Sequence, residues 1–347
     1  MPSYPQYPQY RNAIMRTMKE ETKLAKFLGY GISSVFVAIF SLGVGMLFMS
    51  AFFSGELNFP FVSAAGTSTN LSSTVTVGNA APTVNTVTLN GGSVINLTAG
   101  TTTNITVGAQ LGDSNGCADF MTNGTTTMML YRSGITSSTC STTQSNVNCY
   151  KLPIATSTCT GAGTSTTITA TTTFAVYYFA DGTDVSSTAS SQNWLATVWI
   201  RDASNATGSK DSAGVELNTM TALDITTSSI DYGTLGAGAS SSVSSVATTT
   251  NAGNSSSTLY LSAIQTLGSG GNWMATGSQH YATSSTAYGT NDFALQDTDT
   301  LVSGFVMTGP TSTSAVAKAT FWRLLVPGGS PSGTYSGTTK FLAGWTQ

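Results

Sequence analysis

The stretch "NWLATVWIRDAS", residues 193–204, sets two rows of side chains along one extended backbone. Successive residues of a strand point to alternate faces. Trp194, Ala196, Val198 and Ile200 therefore share one face, and Leu195, Thr197, Trp199 and Arg201 the other. The same period of two runs through "NLTAGTTTNITVGAQLGD", "TTTMMLYRSG" and "STTITATTTFAVYYFADG", with Gly, Asn and Asp turns between the runs. This pattern predicts an antiparallel sandwich of about seven strands over residues 82–220, closed by "DSAGVELNTM".

A second set of strands follows almost without a linker, beginning with "TALDITTSSIDYGTLGAG" at residue 221. Its continuation through "SSVSSVATTTNAG", "STLYLSAIQTLG", "DFALQ", "LVSGFVMTGP", "AKATFWRLLVP" and "GTYSGTTKFLAGW" shows no helical period. A second sandwich over 221–347, stiffly joined to the first, is the expectation. Composition agrees with a mainly β chain. Only 8% of the 347 residues are charged, against roughly 25% in an average soluble domain. Ser, Thr, Asn and Gly must supply the polar surface, and β-branched, hydroxyl-rich sequence favours strands over helices. An α-rich soluble enzyme is excluded.

Residues 27–55 carry no charge, and "VFVAIFSLGVGMLFMSAFF" within them is almost wholly apolar. About 20 apolar residues span a bilayer as a helix, whereas a signal-peptide core has roughly 7–15. Residues 1–26 hold Arg11, Arg16, Lys19, Lys23 and Lys26 against Glu20 and Glu21, a net +3 that keeps this end cytoplasmic. The remainder is expected to be exported, to the cell surface or beyond it. Ala64 and Ala65 in "FVSAAG" offer a signal-peptidase site, so a retained transmembrane anchor and a cleaved signal both stand. Residues 56–81 read as a Ser/Thr-rich linker. From Ala65 onward seven basic residues face twelve acidic ones, a net of −5. With no basic patch to neutralise phosphates, nucleic acid is not an expected partner.

Cys117, Cys140, Cys149 and Cys159 lie within 43 residues and form no C-x-x-C. An even count in an exported region reads as disulfides, and the spacing fits no zinc site. If "NITVGAQLG" runs to one end of the sandwich and "TTTMMLYRSG" returns, Cys140 and Cys149 share the far loop. "YKLPIATSTC" then brings Cys159 back towards Cys117. The expected pairs are Cys117–Cys159 and Cys140–Cys149.

"SSIDYGTLGAG" and "TTTNAGNSSSTLYL", followed by "ATFWRLLVPGGSPSGTYSGTTKFLA", resemble a C-terminal β-domain of exported surface proteins of uncultured, ultrasmall bacteria. "LGDSNGCADF", "MMLYRSG" and the later cysteines, followed by "NWLATVWIRDAS", resemble the immunoglobulin-like domain that often precedes it. The likeness covers roughly residues 82–347. It implies two immunoglobulin-like β-sandwiches at the cell surface and no catalytic role. "IDYGTLGAG" and the Asn-Gly run at Asn251–Asn254 are also similar to the first strands of secreted bacterial matrix-fibre subunits.

Chemistry is sparse in the exported part. The lone histidine, His280, has no G-x-S-x-G elbow to serve. Asp181 with Asp184, and Asp297 with Asp299, lie in turn-like sequence where Asp satisfies backbone amides. No catalytic residue, and no enzyme, is expected. Asn70, Asn96, Asn104, Asn123, Asn205 and Asn254 begin N-x-Ser/Thr triplets, which a chain this rich in Ser and Thr produces by chance. "DSNGCADF", residues 113–120, concentrates Asp113, Asn115 and Asp119. It does not match the EF-hand spacing, and an Asn-Gly turn tied down by Cys117 is the first reading. An irregular calcium site on those three residues is the second; no other cofactor is expected. The leading functional expectation is a structural cell-surface protein that self-associates in an envelope layer or filament. The alternative is an adhesin that holds a host surface or glycan through its loops.

Overall fold

The computed structural model describes residues 71–121, 124–154, 159, 165–242 and 244–345. The basic segment 1–26, the apolar segment 27–55, linker residues 56–70 with Ala64 and Ala65, and the triplet starts Asn70 and Asn123 lie outside the described residues. Among the described residues no helix is long and apolar enough to cross a membrane. The described residues from Thr76 onward form one compact unit. Two sandwich cores occupy it.

The first is built from β1 (Thr83–Leu89), β2 (Thr102–Gly112), β3 (Thr125–Arg132), β4 (Cys149–Pro153), β5 (Thr167–Tyr177), β6 (Trp194–Arg201) and β7 (Thr207–Asp211). One sheet has the order β1-β2-β5 and the other β4-β3-β6-β7, with every strand pair antiparallel. Ile105, Val107, Ala109 and Leu111 of β2 and Phe174 and Val176 of β5 meet Met128 and Leu130 of β3 and Trp194, Ala196, Val198 and Ile200 of β6. The row read from the sequence as one face of β6 is thus wholly buried. Each of the Val, Leu, Ile, Phe and Met side chains here contributes about 1.5–3 kcal/mol on burial. The Trp194 indole N–H donates to the Asp181 carbonyl at 2.8 Å, so the ring enters the core without an unsatisfied donor.

The opposite row of β6 is not left to solvent. Leu195 and Trp199 pack with Met129, Tyr131, Cys140 and Cys149 in a smaller cluster outside the second sheet. A short helix, Ser137–Thr142, carries Cys140 over that face and is capped by Thr136, whose hydroxyl accepts from the Thr139 N–H at 3.2 Å. The expected closing strand "DSAGVELNTM" is not formed. β7 closes the sheet earlier, and beyond it only single bridges, Trp194 to Val215 and Ile95 to Leu217, remain. The Ala196 N–H goes to the Ser212 hydroxyl at 2.9 Å; a side chain takes the place of the next ladder carbonyl.

The second core uses β8 (Leu223–Ile225), β9 (Ser245–Asn251), β10 (Ser257–Ser269), β11 (Asn272–Trp273), β12 (Gln279–Ala282), β13 (Phe293–Ala294), β14 (Thr300–Met307), β15 (Ala317–Leu324) and β16 (Ser336–Trp345). A sheet of order β13-β12-β15-β9-β8 faces one in which β10 pairs with β11, β14 and β16. Leu259, Leu261, Val302, Phe305 and Met307 pack against Ala247, Tyr281 and Trp322 across the interface. "TALDITTSSIDYGTLGAG" is strand only over Leu223–Ile225. The Thr248 N–H turns to the Thr227 hydroxyl at 2.9 Å, and Asp231 takes the Gly233 N–H at 2.8 Å. Side-chain acceptors again end the ladder.

Asn254 holds the two cores together. Its Oδ1 accepts from the Met220 N–H at 2.6 Å, and its Nδ2 donates to the carbonyls of Ala180 at 3.0 Å and Asn218 at 3.2 Å. The Gly100 N–H adds a bond to the Ala252 carbonyl at 2.9 Å. A Cβ on Gly253 would stand 2.2 Å from the Met220 carbonyl oxygen, so only glycine allows this approach. Replacing Asn254 by Ala strands three backbone groups. The expected loss of unfolding free energy in urea denaturation is about 2–3 kcal/mol, and Asn254→Asp, which keeps the acceptor but not the donors, should lose a comparable amount.

Candidate metal centre

Three acids converge at one end of the first sandwich. Asp113 directly follows β2, Asp119 lies in the short helix Ala118–Met121, and Asp202 directly follows β6. One carboxylate oxygen from each lies within 4.8 Å of the others. The loop between the first two is tightly made. The Asn115 N–H donates to Asp113 Oδ1 at 2.8 Å, the Gly116 N–H to the Asp113 carbonyl at 3.2 Å, and Gly116 sits at φ +101°, a conformation that favours glycine. Cys117, in the middle of the loop, is buried and bonded to Cys159. Asp202 accepts from the Ala206 N–H at 2.8 Å, which shapes the β6–β7 turn, and from Asn79 Nδ2 at 2.8 Å.

Asp113 and Asp202 are both buried, and neither they nor Asp119 joins an ion pair among the described residues. Burial pushes the Asp113 carboxyl above the usual carboxylate range. The Asn115 N–H opposes this, while the charges of Asp119 and Asp202 reinforce it. Asp113 Oδ2 is buried with no hydrogen-bond partner. A donor set of carboxylate oxygens without nitrogen or sulfur suits a hard divalent cation. Asn115, expected as a ligand, also ties down the incoming chain: its Oδ1 accepts from the Ala80 N–H at 2.6 Å and its Nδ2 donates to the Gly78 carbonyl at 3.1 Å. Asp202, which the sequence reading did not include, joins Asp113 and Asp119 in the cluster. No spacing rule links Asp202 to "DSNGCADF"; only the pairing of β3 with β6, which brings Thr125 opposite Arg201, places them together.

The other residues singled out in the sequence lie apart. The cysteines pair Cys117 with Cys159 and Cys140 with Cys149, at Cα separations of 5.7 and 5.5 Å, and both bonds belong to an oxidising compartment. His280 Nδ1 lies 2.9 Å from Asp292 Oδ1 and the ring stacks on Tyr288 at 4.2 Å. Among the described residues no serine hydroxyl bonds to it. Asp181 pairs with Arg132 Nε at 2.8 Å, and burial raises its pKa against the pull of that guanidinium. Asp184 accepts from the Thr219 hydroxyl and Asp297 from that of Thr276. Asp299 takes Ser262 at 2.6 Å and Lys340 at 2.7 Å. Of the triplet asparagines, Asn254 has its amide committed to the junction, whereas Asn96, Asn104 and Asn205 are exposed.

The chain is thus a mainly antiparallel β protein with two disulfides, and its acidic triad is the only metal-type cluster among the described residues. No family model matches it, and no curated protein does. Among solved structures, dimeric latent PorU from Porphyromonas gingivalis superposes with a TM-score of 0.24 at 13% identity, over 81% of this chain and 22% of that one. The alpha-2-macroglobulin of E. coli gives 0.23 at 9% identity, over 75% and 16%. A marsupial T cell receptor gives 0.20 at 13% identity, over 75% and 70%. The chain therefore spans less than a quarter of the length of the first two, and superpositions this loose assign no role.

The disulfides differ in the loops they close, with sequence separations of 42 and 9. In the loop-entropy account the longer loop is worth about 4 kcal/mol and the shorter about 2.7 kcal/mol. Replacing Cys117 and Cys159 together by Ser is expected to cost roughly 1 kcal/mol more than replacing Cys140 and Cys149, as measured by urea denaturation of the two double variants.

Proposed function

We propose that this is a structural protein of the cell surface, exported through its apolar N-terminal segment and packed beside copies of itself in an envelope layer or extracellular filament. The observation that carries this reading is the outer face of the sheet formed by β10, β14 and β16. Leu259, Leu261, Val302, Phe305 and Met307 point into the core, and Phe341 packs against it. Their neighbours along each strand, Tyr260, Leu301, Val306 and Leu342, must face outward. Leu301, Val306 and Leu342 are 49%, 51% and 39% exposed, and Ile264 further along β10 is 67% exposed. Tyr260 pairs with Leu301 on one side and Leu342 on the other, so these three form one row.

Single exposed aliphatics are ordinary, but an apolar row on one sheet face is the kind of surface that another protein covers. Among the described residues β16 pairs only with β10, which leaves the backbone groups along its other side free. Lys340, opposite Ser262 on the same face, has its charge met by Asp299 at 2.7 Å. Low charge on the exported part weakens repulsion between copies. Sedimentation of a chain starting at Ala65 is expected to show concentration-dependent association, and Leu301→Asp with Leu342→Asp to weaken it at least about tenfold, since each buries a charge in the contact. A protein that stays monomeric at high concentration, on cells whose surface shows neither layer nor fibre, overturns the reading.

One further feature favours the adhesin alternative. A cleft of about 600 Å³ lies where the two cores meet, lined by Arg132, Asp181, Gln192, Asn254, Pro310 and Trp345. Trp345 is 44% exposed, and an aromatic face beside hydrogen-bonding groups suits a sugar. Glycan binding by the monomeric Leu301→Asp, Leu342→Asp variant, lost on Trp345→Ala, would establish this second role.

A further inference from the structure

We propose that Asp113, Asp119 and Asp202 bind one calcium ion, and that the ion fastens the segment Gly78–Ala80 to the end of the first sandwich. Calcium sits about 2.3–2.6 Å from its oxygens and accepts irregular surroundings, whereas magnesium needs a regular shell at about 2.0–2.1 Å. Carboxylate oxygens that lie within 4.8 Å of one another are close enough to share one such ion. An irregular set of three carboxylates carried by two loops and a short helix favours the more tolerant calcium.

The acids alone would not carry this inference, because acidic clusters are common on protein surfaces. The second observation is the state of Asp113. The residue is only 4% exposed, one of its oxygens is held by the Asn115 N–H, and the other is buried with no donor. Asp202 is 2% exposed, and it accepts a bond at each oxygen yet keeps a free lone pair on both. Two buried carboxylates and a half-exposed third, with no cationic side chain paired to any of them, are arranged for a cation to complete.

The same loops hold the chain that enters the sandwich. Asn79 Nδ2 donates to Asp202 Oδ2 at 2.8 Å, the Ala80 N–H to Asn115 Oδ1 at 2.6 Å, and Asn115 Nδ2 to the Gly78 carbonyl at 3.1 Å. Without the ion, repulsion among the three carboxylates works against the loops from which Gly78–Ala80 hangs. With it, the loops are drawn together and the segment is clamped. This site does not depend on self-association, and a monomer would have it.

The test uses the full chain, purified in a mild detergent and stripped with a chelator. Titration with calcium chloride in a calorimeter is expected to show one site per chain, a raised melting temperature, and cleavage of residues 76–81 by a non-specific protease slowed about tenfold or more. Magnesium chloride at the same concentration should produce a much smaller response. Asp202→Asn and Asp119→Asn should each weaken calcium binding at least about tenfold. Asp119 is half-exposed in its short helix, so its variant remains folded if the buried one does not. No calcium response in the wild-type chain, or an unaltered one in Asp119→Asn, overturns the site. An equal response to magnesium overturns the choice of ion. Calcium binding with unchanged cleavage of the segment overturns the clamp.

Discussion

Everything in the first sandwich leans on strand β6, whose two faces are both occupied. One row of its side chains fills the space between the sheets, and the other lies under the loop closed by Cys140 and Cys149. A strand covered on both faces has no tolerance for a shift in register, because a slip of one residue would exchange Trp194 and Ala196 with Leu195 and Thr197. Thr197 can stand on the outer face only because its hydroxyl meets the Tyr131 hydroxyl at 2.9 Å and the Asp211 carboxylate. The register of β3 and β7 on either side is set by the same pairings.

Alternation makes β6, β2 and β5 legible in the sequence, since hydrophobic burial acts on a period that can be counted along the chain. The ends of strands are not legible in the same way. "DSAGVELNTM" and "TALDITTSSIDYGTLGAG" look like strands, but Ser212 and Thr227 intercept the backbone donors of Ala196 and Thr248. In a chain this rich in hydroxyls every Ser and Thr competes with a carbonyl for the ladder. The outcome depends on which hydroxyl reaches which N–H, a three-dimensional fact. The candidate site shows the same division. Asp113 and Asp119 are visible as neighbours in "DSNGCADF". Asp202 belongs to them only through the pairing of β3 with β6, and Asn115, which has the look of a ligand in the sequence, bonds to the segment Gly78–Ala80.

The junction follows from the same hydroxyl- and amide-based chemistry. A protein with few cations cannot join two cores through a network of ion pairs. It uses one carboxamide, Asn254, whose donors and acceptor each meet a backbone group across the boundary, and a glycine beside it that lets the chains approach. Such a bolt is insensitive to salt, because it involves no net charge for ions to screen.

The scarcity of cations also explains why the acids are informative. Carboxylates here are met by whatever donors lie close: Asp184 and Asp297 by threonine hydroxyls, Asp224 and Asp231 by the backbone N–H groups of Ile225 and Gly233, Asp299 by Ser262 and Lys340, Asp181 by Arg132. Each of these is an ordinary settlement of a negative charge in a folded chain. Asp113 Oδ2 is the one carboxylate oxygen among the described residues that is buried without any partner. Hydroxyl and amide donors are plentiful in the sequence, and none was placed there. A chain that satisfies its other acids so locally, and leaves this oxygen bare beside two further carboxylates, presents there a cluster that could hold a metal ion.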